Sequence, residues 1–144
     1  MTENIFHELR EQLDQYSVGF PSTQSGVEMK ILERLFTEEE ARMYLNLSMM
    51  LETPEAVAGR LNQNPEATGA LLERMAEKGL IFRARKGGQA SYGAAPFVVG
   101  IYEFQVKTMD RELAQLMEDY FEEAFSAQTS QVTVPLSLLK GMGQ

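Results

Sequence analysis

The chain of 144 residues has no cysteine and only one histidine, His7. Without cysteine there is no disulfide, thiolate nucleophile, zinc finger or cysteine-ligated iron–sulfur cluster within it. His7 lies on an amphipathic segment with no catalytic partner signature around it, as a surface or boundary histidine does. Long apolar runs are also missing, since none reaches the roughly 20 residues that span a bilayer. The opening MTENIFHELREQ lacks the basic start and apolar middle of a signal peptide, so no membrane association and a cytoplasmic location are expected. Positive charge is scarce: 13 basic residues against 21 acidic ones give a net charge of −8, an unpromising balance for binding a polyanion. No HExxH, GxSxG or helix-opening GxGxxG occurs. Gly88 and Gly93 have P-loop spacing, but Ala94-Ala95 stand where Lys-Ser/Thr would grip phosphate and Mg²⁺. No constellation supports an enzyme.

What is present is a single-domain length, 44% hydrophobic and 24% charged residues, and an uneven charge distribution. From Thr53 to Tyr92 six basic residues (Arg60, Arg74, Lys78, Arg83, Arg85, Lys86) face four acidic ones (Glu55, Glu66, Glu73, Glu77), so this segment is +2 and the rest −10. Ile5, Phe6, Leu9 and Leu13 recur at helical spacing, and the loop YSVGFPSTQSG follows. Ser25 and Glu28 have capping-box spacing ahead of a second helix striped by Val27, Ile31, Leu32, Leu35 and Phe36. Thr37 and Glu40 repeat the device, predicting a third helix over about 38–51 that buries Ala41, Tyr44, Leu45 and Ser48 or Met49.

Thr53-Pro54 and Asn64-Pro65 each read as an N-cap followed by proline at the first helical position. They predict two short helices joined by a tight turn, the second ending at Gly79. LIFRAR then alternates, KGG supplies a turn and QASYG returns, which predicts a hairpin. Helix–turn–helix over 53–79 followed by a wing over 80–93 is the order of a winged helix-turn-helix. Ala95-Pro96 opens a long C-terminal helix over 96–125, broken near Thr108 or Asp110, with a stripe of Leu113, Leu116, Met117, Tyr120, Phe121 and Phe125. Residues 126–144 read as a tail or linker after a single domain over 1–125. The fold class is thus mostly α with a small β-hairpin. The terminal stripe is wider than one small core needs, so a homodimer through the terminal helices is expected.

The segment TPEAVAGRLNQNPEATGALLERMAEKGLIFRARKGGQASYG resembles the winged helix-turn-helix of MarR-like bacterial regulators. VGFPSTQSGVEMKILERLFTEEEA, with YGAAPFVVGIYEFQ and MDRELAQLMEDYFEEAF, is similar to the N-terminal region of a family of 4Fe-4S ferredoxin-type proteins of anaerobic bacteria. In that family a winged-helix region precedes a cysteine-rich cluster domain. The resemblance covers roughly Tyr16 to Pro135, and the cysteine-free chain departs from it by lacking the cluster ligands. It implies a non-catalytic regulatory or interaction module that docks DNA or a protein partner, such as a redox protein or cluster domain. The cofactor is none in this chain, a 4Fe-4S cluster entering only with a missing C-terminal domain. The alternative is an autonomous MarR-like transcriptional regulator that holds double-stranded DNA by its basic wing.

Phosphate contacts need only positive charge on a protruding loop, so Arg74, Lys78, Arg83, Arg85, Lys86 and Gln89 are the candidate binding residues. The same wing charges also suit a solvated hairpin edge, an acidic protein partner or the chain's own acidic surface. The helix before the wing turns Pro65, Glu66, Gly69, Ala70 and Glu73 outward, a face poor in groups that read base edges. Glu118/Glu122 and Asp119/Glu123 lie at i,i+4 spacing without the Glu-x-x-His of a di-iron bundle, so they read as a solvated face. FPSTQSG brings hydroxyls to a helix N-terminus, where an anion or simply the Ser25 cap would use the amides.

Overall fold

The computed structural model describes residues 2–16 and 19–131. Helix α1 (Thr2–Asp14) buries Ile5, Leu9 and Leu13 at four-residue spacing. The loop behind it turns inward at Phe20, which is fully buried, with its N–H on Asp14 Oδ1 at 2.8 Å. Its ring lies 4.2 Å from that of Phe97 and 4.8 Å from that of Tyr120, so the loop carries a core residue that joins the chain's two ends.

The expected Ser25–Glu28 box does not form. Gly26, left-handed at φ 76°, occupies the N-cap of α2 (Val27–Leu35) without a side-chain cap. That turn sends Ser25 outward, and the buried Glu28 finds closer donors in the N–H and Oγ1 of Thr23, at 3.2 and 2.6 Å. The Thr37–Glu40 box does form at the start of α3 (Glu38–Leu45), each side chain accepting from the other's amide, at 3.1 and 2.9 Å.

Helix α3 stops six residues short of its expected end at 51. The segment after Asn46 pairs with the wing instead: the Ala94 N–H donates to the Ser48 carbonyl at 2.7 Å, and Glu52 exchanges backbone hydrogen bonds with Tyr92 at 2.9 and 2.8 Å. Sheet partners there replace helical ones, and Ser48 and Met49 are exposed rather than buried.

Thr53 and Asn64 cap α4 (Pro54–Leu61) and α5 (Pro65–Glu77) through their side-chain oxygens, with proline at the first helical position of each. Asn62, left-handed at φ 56°, makes the turn between them. At the end of α5 the Leu80 and Gly79 amides donate to the Met75 and Ala76 carbonyls, a Schellman motif that needs Gly79 at φ 80°. Strands β1 (Ile81–Lys86) and β2 (Gln89–Ala94) pair antiparallel around Gly87-Gly88, both at positive φ as a two-residue hairpin turn requires.

After Pro96 comes a π-helical turn (Phe97–Ile101), in which the Ile101 N–H reaches back five residues to the Pro96 carbonyl. It continues into α6 (Tyr102–Val106). The chain breaks between 107 and 110, where a break is expected, and Asp110 Oδ1 takes the Leu113 N–H to open α7 (Arg111–Gln131). Helix α7 runs past the expected end at 125; most of the expected tail, 132–144, lies outside the described residues. Leu113, Met117, Tyr120 and Ala124 of α7 are buried, and α7 packs on α2. The fold is a winged helix-turn-helix, α4–α5–β1–β2, set against flanking helices at both ends.

Candidate nucleic-acid interface

The wing and α5 meet over one carboxylate. On β1, Arg83 and Arg85 lie two residues apart and share a face, with Tyr92 directly opposite Arg83 in the register. Glu73 projects from α5 onto that face. Its Oε2 accepts from Arg83 Nη1 at 2.5 Å and from Arg85 Nη2 at 3.5 Å, and its Oε1 accepts from the Tyr92 hydroxyl at 2.7 Å. The Tyr92 bond, then the two guanidinium charges, hold the Glu73 carboxyl below its ordinary range. Burial, together with the Glu73 carboxylate, pushes the Tyr92 phenol up to about 12.

Arg74 and Lys78 belong to a different cluster. They leave the other side of α5 and bind Glu40 of α3, whose side chain is inaccessible to solvent: Arg74 Nε at 3.0 Å and Lys78 Nζ at 2.6 Å, with Arg74 Nη2 also on Glu39 at 3.1 Å. Burial works against a charge on Glu40. Donation from Lys78, the Thr37 amide and Arg74 outweighs it and keeps the carboxyl below its ordinary value. The Arg74 guanidinium is raised in turn by Glu40 and Glu39. One side chain therefore completes a helix cap and fastens α5 to α3.

The six candidate residues thus divide three ways. Arg74 and Lys78 clamp helices together, Arg83 and Arg85 sit on Glu73, and Lys86 and Gln89 form the last pair of the ladder at the wing tip. Among the described residues Lys86 makes no ion pair within 4.0 Å. Gln89 Nε2 donates only to the neighbouring Ala90 carbonyl, at 3.1 Å. On α5, Pro65, Glu66, Ala67 and Ala70 are exposed and Gly69 is half-buried, so the outward face carries small residues and the carboxylate of Glu66. The hubs Glu73 and Glu40 have only faint sequence signals. Glu73 precedes Arg83 by ten residues, across a helix end, and the Thr37 box marks Glu40 only as a cap.

The other anion candidate is filled from within. Glu123 of α7 accepts from Ser25 Oγ at 2.5 Å and from the Ser25 N–H at 3.1 Å, bonds that lower its carboxyl below the ordinary value. The loop thus holds α7. Among the described residues no group of three or more His, Asp or Glu is placed to hold a metal ion, and no helix is long and apolar enough to cross a membrane.

No family model matches the sequence, and no curated protein does. Solved structures of transcription regulators and of one winged helix-turn-helix DNA-binding domain resemble it at low identity. MepR, a transcription regulator of the Staphylococcus aureus multidrug efflux pump MepA, is 18% identical at a TM-score of 0.37, covering 98% of this chain and 87% of that one. A MarR-family transcriptional regulator from Rhodococcus is 12% identical at 0.37, covering 97% and 82%. The homodimeric winged helix-turn-helix DNA-binding domain of a possible ArsR-family regulator from Mycobacterium bovis is 19% identical at 0.39, covering 72% and 93%.

Proposed function

We propose that this chain is a non-catalytic winged-helix regulator that holds duplex DNA by its phosphates through the tip of the wing. The observation that carries this reading is the unpaired Lys86 beside the loosely held Arg85, on a hairpin tip exposed on both strands. Charge on a protruding turn suffices for phosphate, whereas base reading needs several donors and acceptors on α5, where Ala67, Gly69 and Ala70 supply none and Glu66 a single acceptor group. Binding on this reading is salt-dependent and weakly sequence-selective. Fluorescence anisotropy with a labelled duplex tests it: affinity falls as salt rises and falls again in Arg85→Ala/Lys86→Ala, while flat titrations of the unaltered protein sink it.

A second copy strengthens the same reading, because two wings double the phosphate contacts of a chain whose net charge is −8. The terminal helices offer a face for it. A groove of about 810 Å³ between α6 and α7 is lined by apolar side chains such as Tyr102, Val106, Met117 and Phe121 and rimmed by Glu118 and Glu122, and Phe104 nearby is half-exposed. Light scattering that returns the mass of one chain at high micromolar concentration counts against the dimer.

A protein partner is the second reading, favoured by the carboxylate of Glu66 on the outward face of α5, which repels phosphate and suits a basic peptide surface. Association with a ferredoxin-type redox protein is supported by sequence resemblance alone.

A further inference from the structure

We propose that Glu73 is a built-in competitor for DNA: its carboxylate occupies the wing arginines, and a phosphate must displace it before Arg83 and Arg85 can bind. The inference rests on the reading of the wing as a phosphate-binding element and assigns Glu73 the role of setting its strength.

Three observations lead to it. The first is stoichiometry: Arg83, Arg85 and Lys86 supply three positive charges on the wing, and two of them converge on one carboxylate oxygen. The second is placement. Glu73 comes from α5, the helix that a winged helix-turn-helix turns toward the duplex, so the competitor stands on the side from which phosphate would approach. The third is exposure. The Arg85 and Glu73 side chains are 60% and 32% accessible, and ion pairs so open to water are weak and salt-screened. A duplex phosphate offers the same charge at higher density and releases counterions on binding, which a lone carboxylate cannot match. Arg85, at 3.5 Å, is the first to leave, and Arg83, at 2.5 Å, the second. Tyr92 has a separate part. Its hydroxyl bond to Oε1 keeps the displaced carboxylate close to the wing arginines, so the wing closes again when DNA departs.

Glu73→Gln is the informative change, since the carboxamide oxygen can still accept from Tyr92 while the charge is gone. Anisotropy with a labelled duplex of mixed sequence is measured between about 50 and 200 mM salt for four proteins: the unaltered chain, Glu73→Gln, Glu73→Gln with Arg83→Ala and Arg85→Ala, and Tyr92→Phe. We expect Glu73→Gln to bind about tenfold tighter, with a salt slope steeper by about 1 to 2, the value for one or two added phosphate contacts. Removing both arginines returns affinity to the unaltered level or below. Tyr92→Phe, which keeps the carboxylate, changes affinity less than about twofold on the same scale. Equal or weaker binding by Glu73→Gln, in a protein whose binding still falls as salt rises, overturns the competitor and leaves the phosphate-binding wing standing. A gain in Tyr92→Phe equal to that in Glu73→Gln also overturns it, by showing that a loosened wing is the cause. Absence of binding in every protein overturns both.

Discussion

Gln105 of α6 donates from Nε2 to the carbonyl of Lys78, the C-cap of α5, at 2.7 Å. Beside that bond lies Gly79, where a Cβ would overlap the Cβ of Phe104 and come within 3.0 Å of Gln105 Nε2. The helix-turn-helix and the terminal helices thus touch with no room to spare at a residue that is also left-handed. Gly79→Ala should cost about 3 kcal/mol, combining the backbone strain of a positive φ with overpacking. Gln105→Leu should cost about 1 kcal/mol by leaving the Lys78 carbonyl without its partner. Urea unfolding of the two variants measures both.

Glu40 is the second point where elements depend on one side chain. Glu40→Ala removes half a capping box and releases Arg74 and Lys78, which are exposed enough to return to water. A loss of about 2 kcal/mol is expected, most of it from the cap and its buried hydrogen bonds. Thermal unfolding checks the value, and a loss near zero would show that the cluster is ornamental.

Acid should unfold the protein through the same groups. The folded values of Glu40, Glu73 and Glu123 lie below the ordinary 4.5, so the folded state holds fewer protons there than the unfolded chain does. Their contribution is complete above about pH 5 and lost as pH falls through the lowered values. Stability measured from pH 7 downward should stay level in this respect and then drop. Glu40→Gln should make the drop shallower.

The division among the basic residues predicts different salt behaviour. Lys86→Ala should reduce the slope of log affinity against log salt by about 0.9, the value of one phosphate contact. Lys78→Ala should leave that slope unchanged and lower thermal stability instead, because its ammonium is committed to Glu40. Parallel DNA titrations and melting curves of the two variants separate these roles, and a slope lost in Lys78→Ala would contradict its assignment.

The helix-turn-helix and the wing are legible in the sequence because their signals are local: Thr53-Pro54, Asn64-Pro65, Gly79 and the two-glycine turn each act within four residues. The end of α3 is not, since its stop comes from β2, some forty residues onward, offering the 48–52 segment hydrogen bonds that compete with helix. Ser25 misleads for a related reason: a glycine turn and Glu123 draw it outward, while Thr23 takes its expected partner Glu28. Of the candidate interface, the presence of the basic residues can be read from the sequence but their partners cannot. Whether a lysine is available depends on which carboxylate lies across the fold, and neither Glu73 nor Glu40 announces that it will be the one.

The π-helical turn at Phe97–Ile101 has a geometric consequence for everything after it. It spends one more residue than an α-helical turn, and each residue in a helix advances its side chains by about 100°. Deleting a single residue there would swing α6 by about 100° round its axis, lifting Phe104 off Gly79 and Gln105 off the Lys78 carbonyl. The angular phase between the wing and the C-terminal helices is therefore fixed by a count of residues in one turn.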